Sequence, residues 1–488
     1  MTPTQNTKMT NWRWIICAML FCATTINYMD RQVLSLTWKD FIAPEFHWTD
    51  DDYGTITGFF SFFYAFACLF AGKFVDWMGT KKGYMWAIFI WSLGACMHAG
   101  CGWVTMQVEG LDSVEALRAV QAGSEIAVAI ATLSVWLFLT CRAILALGEA
   151  GNFPAAIKVT AEYFPKKDRA FSTSIFNSGA SIGALAAPLT IPVLAKAYGW
   201  EMSFIIIGAI GFVWMFFWHF IYDKPQNSKH VNEAELAYIN QDEQQEEKTV
   251  KEEQKDERVI PFLKCFTYRQ TWSFIAGKFF TDGVWWFYLF WAPAYFSDQF
   301  GYKTSDPMGQ ALIFVLYLIV TVLSIFGGYL PKYFVEKKGM EPYAGRMIAM
   351  LIFAFFPLFA LFAQPLGESS AWYPAIIIGL AGAGHQAWSA NLFSTTGDMF
   401  PKSTIATITG IGAMAGGLGS LIINKGAGAL FTYAETQGSA FTFLSFEGKP
   451  AGYMIIFCIC AVAYLVGWVI MKALVPKYKP VRKIRESQ

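Results

Sequence analysis

Charge is what this sequence has least of. Asp, Glu, Lys and Arg make up 15% of its 488 residues, where a soluble domain carries roughly a quarter. That shortage excludes an ordinary water-soluble domain. A formal net charge of +1 says little about partners by itself, and no nucleic-acid partner is expected. Of nine cysteines, most sit in apolar segments (Cys17, Cys22, Cys68, Cys96, Cys101, Cys141, Cys458, Cys460), with no Cys-x-x-Cys or Cys/His spacing. Neither a disulfide framework nor a metal centre is expected. No nucleophile–base constellation appears, which argues against an enzyme, and no signalling domain is appended, which argues against a sensor. A cleavable leader is not expected either: the first apolar segment is too long for one and contains Asp30-Arg31.

Apolar residues, in contrast, reach 55%. Twelve apolar segments can be picked out, near 14–36, 55–75, 84–105, 126–148, 170–196, 202–222, 271–297, 309–331, 346–364, 371–396, 404–432 and 451–472. Each is close to the ~20 residues that span a bilayer as a helix. Of 37 Lys and Arg, 28 fall at the N-terminus, the C-terminus or after even-numbered segments. Six lie on the other side (Lys39, Arg118, Lys196, Lys303, Lys425, Lys449) and three inside segments (Arg31, Arg142, Lys278). By the positive-inside rule both termini are cytoplasmic. The expectation is an all-α membrane protein of twelve transmembrane helices in two six-helix bundles. Residues 1–222 would form the N-terminal bundle, 223–270 a cytoplasmic connection, 271–476 the C-terminal bundle and 477–488 a cytoplasmic tail. The centre of the connection, residues 241–258, is rich in charge and free of Gly, Pro and aromatics, and reads as a tether. A faint repeat, 72-GKFVDWMGTKKG-83 against 327-GGYLPKYFVEKKG-339, supports two related halves.

Four charges stand where they cost most: Asp30-Arg31 in the first segment, Arg142 and Glu149 in the fourth. A charge at the centre of a bilayer helix costs roughly 2.5–3.5 kcal/mol, so these mark a polar cavity for an ion or an ionised ligand. Arg142 and Glu149 are seven apart and share one helix face. A buried Glu balanced between desolvation and a nearby Arg can gain or lose a proton. Asp30 and Arg31, about 100° apart around a helix, cannot both face the same way. Arginine suits a carboxylate because its planar fork donates paired hydrogen bonds. Asp30 and Glu149 are therefore the candidates for a proton, and Arg31 and Arg142 for an anion. Spacing leaves open which arginine does which.

Further polar groups would complete a sugar-sized pocket: Tyr64, Asn177 with Ser178, and Trp286 or Tyr288 within 285-WWFYLFW-291. The tenth segment is unusually polar, with His385, Gln386, Trp388, Ser389 and Asn391 at membrane depth, and offers partners for several hydroxyls. His385 is a secondary candidate for titration. Lys278 and Asp282, four apart near a helix start, read as a structural pair.

The stretch Gly72-x3-Asp76-x2-Gly79-x-Lys81-Lys82 resembles the loop between helices two and three of the major facilitator superfamily, with Trp77 where a basic residue is usual. Asp76, Lys81 and Lys82 would then latch one conformation. The stretches 27-NYMDRQVLS-35, 142-RAILALGEAGNFPAAIKVTAEYFP-165, 384-GHQAWSANLFSTTGDMFPK-402 and 408-ITGIGAMAGGLG-419 look like bacterial hexuronate transporters of the anion:cation symporter branch. The resemblance implies proton-driven import of glucuronate, galacturonate or a close relative across a bacterial inner membrane, by a monomer, with no cofactor beyond the proton. It matches Asp30 and Glu149 to the branch's acidic pair, and Arg31, Tyr64 and Arg142 to its substrate site. Ala180 and Ala413-Met414 depart from polar residues found in relatives, which shifts recognition toward His385, Gln386 and Asn391. Carriers of other organic anions (aldonates, tartrate, phthalate-like acids) remain the nearest alternative.

Overall fold

The computed structural model describes residues 8–241, 260–324 and 326–481. Helix dominates, as apolar sequence with no water to satisfy its backbone requires. In chain order the main helices are α1 (Trp12–Thr37), α2 (Asp50–Met78), α3 (Thr80–His98), α4 (Cys101–Glu109), α5 (Glu125–Glu149), α6 (Asn152–Tyr163), α7 (Lys166–Tyr198) and α8 (Trp200–Ile221). After the short α9 (Glu233–Ile239) come α10 (Arg269–Phe300), α11 (Pro307–Ser324), α12 (Phe326–Lys338), α13 (Pro342–Ala354), α14 (Trp372–Met399), α15 (Lys402–Gln437) and α16 (Lys449–Leu474). A two-residue hairpin, β1 (Thr442–Phe443) and β2 (Phe446–Glu447), pairs Thr442 with Glu447 between α15 and α16.

Every apolar segment of the sequence lies on one of these helices or on a broken one. Among the described residues, eight helical stretches are long and apolar enough to cross a membrane. Adding α3 with α4, which meet at a 45° bend, makes nine. The long helices that miss this apolar standard are α1, α10 and α14. These carry Asp30-Arg31, Lys278 with Asp282, and the polar run at 385–391. Their shortfall in hydropathy is the signature of the polar groups they hold.

Helix ends are set locally. Thr49 caps α2 by accepting from the Asp52 backbone N–H at 3.3 Å, while the Asp52 carboxylate accepts the Thr49 N–H at 2.8 Å, a reciprocal box. Gly79 (φ 78°) and Gly199 (φ 92°) supply the left-handed residue that turns α2 into α3 and α7 into α8. A single π-helical turn, Trp38–Ile42, extends α1.

Helices α1–α8 pack on α10–α16 chiefly where α2 meets α15, α1 meets α10 and α7 meets α11. The first is the tightest. A Cβ at Gly54 would sit 2.6 Å from the Asn424 carbonyl oxygen, and one at Gly428 2.4 Å from that of Asp50, so only glycine permits this approach. Ser420 Oγ donates to Ser61 Oγ at 2.8 Å across the same seam.

The two ends of the molecule differ. At the end where α1 finishes, Lys39 bridges Asp50 (3.1 Å) and Asp298 (3.0 Å), and Lys449 bridges Asp50 (2.5 Å) and Asp298 (2.7 Å). Nearby, Asp40 accepts from Ser297 Oγ and from the Thr304 N–H and Oγ1, and Lys425 pairs with Asp51 at 2.6 Å. These bonds join α1–α8 to α10–α16. At the other end the ion pairs Asp76–Lys158, Lys81–Asp223 and Arg346–Asp398 each stay on one side. Gly72 and Gly397 face open space there.

The start of the connection after α8 is not free chain. Glu235 of α9 is fully buried and receives the backbone N–H groups of Trp12 (2.9 Å) and Arg13 (3.1 Å) and the Arg13 guanidinium (3.1 Å). The charged stretch expected to act as a tether lies, beyond Gln241, outside the described residues.

Candidate functional site

Helices α1 and α5 bring the buried charges together. Arg31 Nε and Nη2 both donate to Glu149 Oε2, at 3.0 and 2.9 Å, with the two side chains 5% and 0% exposed. Among the described residues, Glu149 Oε1 has no hydrogen-bond partner. The Arg31 guanidinium lies 4.6 Å from the Tyr64 ring, 5.1 Å from Trp286 and 5.2 Å from Tyr28. The cage draws on α1, α2 and α10, so it spans the contact between the two sets of helices. Cation–π contacts of this kind gain strength when desolvated.

Asp30 stays outside this pair. It is 1% exposed, and among the described residues neither carboxylate oxygen has a hydrogen-bond partner. Arg142, also 1% exposed, leaves Nε and Nη1 without partners and sits 4.9 Å over the Phe60 ring. Asp30, Arg142, Arg31 and Glu149 all lie within electrostatic reach of one another. Asn27, fully buried one turn before Asp30, has neither amide atom partnered. Unmet hydrogen-bond capacity of this kind costs roughly 1–3 kcal/mol per group, more for charged ones. The cluster is neutral in sum: two acids balance two arginines. The partner of Glu149 is Arg31 from the neighbouring helix, not Arg142 on its own helix. Seven residues rise about 10.5 Å along an axis, whereas Arg31 arrives at contact distance from the side.

The other expected residues are divided. Tyr64 joins the cage. Tyr288 does not: its buried hydroxyl turns toward Cys460 and Tyr464 of α16, and Trp286 takes the place facing Arg31. Asn177 and Ser178 are exposed on α7, with Ser178 Oγ donating to the Ile175 carbonyl at 2.6 Å. The polar run of α14 is split by helical rotation rather than forming one wall. His385 Nδ1 bonds the Tyr464 hydroxyl at 2.7 Å, and its ring stacks on Trp285 at 5.4 Å. Trp388 packs edge-on against Tyr464 at 5.6 Å. Gln386 and Ser389 are half-buried. Asn391 donates to the Ala387 carbonyl at 2.8 Å and borders a cavity of about 370 Å³ with Arg346 and Glu336. Of the latch residues, Asp76 and Lys81 pair with Lys158 and Asp223, and Lys82 is exposed. Lys278 and Asp282 pair at 2.6 Å, buried well inside α10 rather than at its end.

The sequence leaves Trp286 and Tyr288 as alternatives, and it does not single out Phe60, Tyr28, Asn27, Tyr464 or Asn424. Asn424 is fully buried on α15 and accepts from Trp291 Nε1 at 3.0 Å. A signal existed for Phe60, which stands one helical turn before Tyr64.

The Major Facilitator Superfamily matches residues 20–423. The chain is 26% identical over 438 residues to the hexuronate transporter of Escherichia coli (strain K12), covering 88% of this chain and 90% of that protein. It is 24% identical over 329 residues to the galacturonate transporter of Dickeya chrysanthemi, covering 67% and 84%. With the probable galactarate/D-glucarate transporter GarP of Escherichia coli (strain K12) the identity is 23%, covering 91% and 94%. Among solved structures, a bacterial homolog of the human lysosomal transporter Spinster, inward-facing and occupied, superposes with a TM-score of 0.62 at 17% identity, covering 96% and 97%. A D-xylose–proton symporter gives 0.62 at 15% identity, covering 94% and 98%. The chain belongs to the major facilitator superfamily and is a membrane transporter related to hexuronate carriers, not an enzyme.

Proposed function

We propose that this protein is a secondary active transporter that imports a sugar acid, a hexuronate such as glucuronate or galacturonate, together with protons by alternating access. Twelve spans with both termini cytoplasmic would place it in a bacterial inner membrane as a monomer. The end sealed by Lys39, Asp50, Asp298 and Lys449 would then face outward, and the open end the cytoplasm. Relatives named for hexuronate, galacturonate and galactarate/D-glucarate transport support a six-carbon sugar acid.

The observation that carries the reading is the Arg31–Glu149 pair. Arg31 is held by one oxygen of one carboxylate, in a cage shared by both sides of the molecule. A substrate carboxylate competes for the same guanidinium. It can win only if the Glu149 charge is removed, and a proton does that. Arg31 thus takes the substrate, Glu149 the proton, and Tyr64 and Trp286 close over the sugar ring. Asp30 and Arg142, within electrostatic reach of that pair, supply a second acid and a second arginine. Protonation of Asp30 leaves Arg142 to balance the incoming anion. Deprotonation toward the cytoplasm restores the Arg31–Glu149 pair and expels the substrate.

Uptake of radiolabelled glucuronate into proteoliposomes tests the proposal. An inward proton gradient, acid outside, is expected to drive accumulation above the external concentration. Accumulation indifferent to the gradient would refute proton coupling.

A further inference from the structure

Arg13, Arg31, Arg118 and Arg346 each hold a carboxylate within 3.1 Å. Arg142 does not. It is 1% exposed and, among the described residues, makes no ion pair or hydrogen bond; its guanidinium rests instead on the Phe60 ring, 4.9 Å from the centroid. An arginine kept for the fold would be bonded as these four are, because an unpaired buried charge is costly. Phe60 is itself fully buried. From the other set of helices, Trp286 and Phe290 of α10 meet its ring at 6.2 and 6.1 Å, both at steep angles (74° and 72°). On its own helix Tyr64 lies 6.3 Å away. Tyr64 and Trp286, 6.0 Å apart, are the two rings of α2 and α10 that face Arg31. Three rings thus close a triangle, with Arg31 on two of its members and Arg142 on the third.

This arrangement gives Phe60 a task beyond filling space. An aromatic face attracts a desolvated cation without consuming its N–H groups. Arg142 is therefore held in place with its donors unspent, and those donors suit an anion. An aliphatic side chain of similar size would occupy the same volume but attract no cation, and the guanidinium would turn to a neighbouring carboxylate. We propose that Phe60 is a positioning residue that, braced by Trp286 from the other set of helices, keeps Arg142 unbonded for the incoming sugar acid. The inference rests on the reading of the buried arginines as the anion site. Phe60 acts through Arg142 rather than by touching the substrate.

A double-mutant cycle on glucuronate binding to the purified protein, followed by tryptophan fluorescence or thermal shift, tests the proposal. Phe60→Leu should weaken binding about fivefold or more, whereas Phe60→Tyr, which keeps the aromatic face, should stay within about twofold of the wild type. Phe60→Met should match Phe60→Leu, so that a folding defect in either one leaves the other to decide. In an Arg142→Gln background, which retains Arg31 but has no second cation to hold, Phe60→Leu should change the affinity by less than about twofold. Wild-type affinity in both Phe60→Leu and Phe60→Met would overturn the proposal. Equal weakening with and without Arg142 would overturn it too, because the ring would then act by packing alone. A wild type that binds no sugar acid would instead overturn the reading of the arginines.

Discussion

At the residue scale, the centre of this protein is one guanidinium with two donors on one carboxylate oxygen. Lysine cannot reproduce that. It keeps the charge but loses the fork and the flat face that stacks on Tyr64 and Trp286. Arg31→Lys is therefore expected to raise the KM for sugar-acid uptake at least tenfold, equivalent to about 1.4 kcal/mol. Unchanged KM in a transport assay would show that the guanidinium geometry is not used. The charges themselves were legible in the sequence, because Asp, Arg and Glu inside apolar runs have no cheap explanation. Their pairing was not. Glu149 has Arg142 on its own helix face and Arg31 on a neighbour, and only the rotation of α1 against α5 decides between them. Tyr288 and Trp286 illustrate the same limit: two residues are about 200° apart on a helix, so which faces the cage depends on how α10 is turned.

At the scale of the element, α1 depends on a residue 222 positions away. Asn11 before it makes no side-chain cap, and the first-turn N–H groups of any helix need partners. Glu235 provides the acceptor, buried against Arg13. Removing one member of a buried pair costs about 3–5 kcal/mol. Glu235→Ala should therefore lower the Tm by several degrees, with Glu235→Gln intermediate because it still accepts. An alanine variant that melts with the wild type would mean the cap carries no weight. Nothing in the sequence marked Glu235, since the connection reads as solvated charge and the helix it serves precedes it by more than two hundred residues. The helices, in contrast, were legible almost end to end. The exceptions to apolarity in α1, α10 and α14 were the informative part.

For the whole molecule, the sealed end shows how the two sets of helices can part with the buried lysines still paired. Lys39–Asp50 belongs to α1–α8 and Lys449–Asp298 to α10–α16. Separation breaks the crossed pairs Lys39–Asp298 and Lys449–Asp50 but leaves Lys39 on Asp50 and Lys449 on Asp298, while the Lys425–Asp51 pair has no such substitute. Four of the six minority basic residues of the sequence count, Lys39, Arg118, Lys425 and Lys449, are tied to acids. For these four, the exception to the positive-inside pattern pointed to a structural pair. What the sequence could not supply is which end is shut, because that depends on contacts between helices far apart in the chain.

In the proposed cycle, a proton on Glu149 and a substrate carboxylate on Arg31 together replace the Arg31–Glu149 bond. Glu149→Gln fixes the protonated state, so the most direct measurement is this variant in proteoliposomes, assayed for both gradient-driven uptake and substrate exchange. Uptake driven by the pH gradient should be lost while exchange of internal for external sugar acid persists. Equal loss of both would contradict the account and make the Arg31–Glu149 pair a structural one.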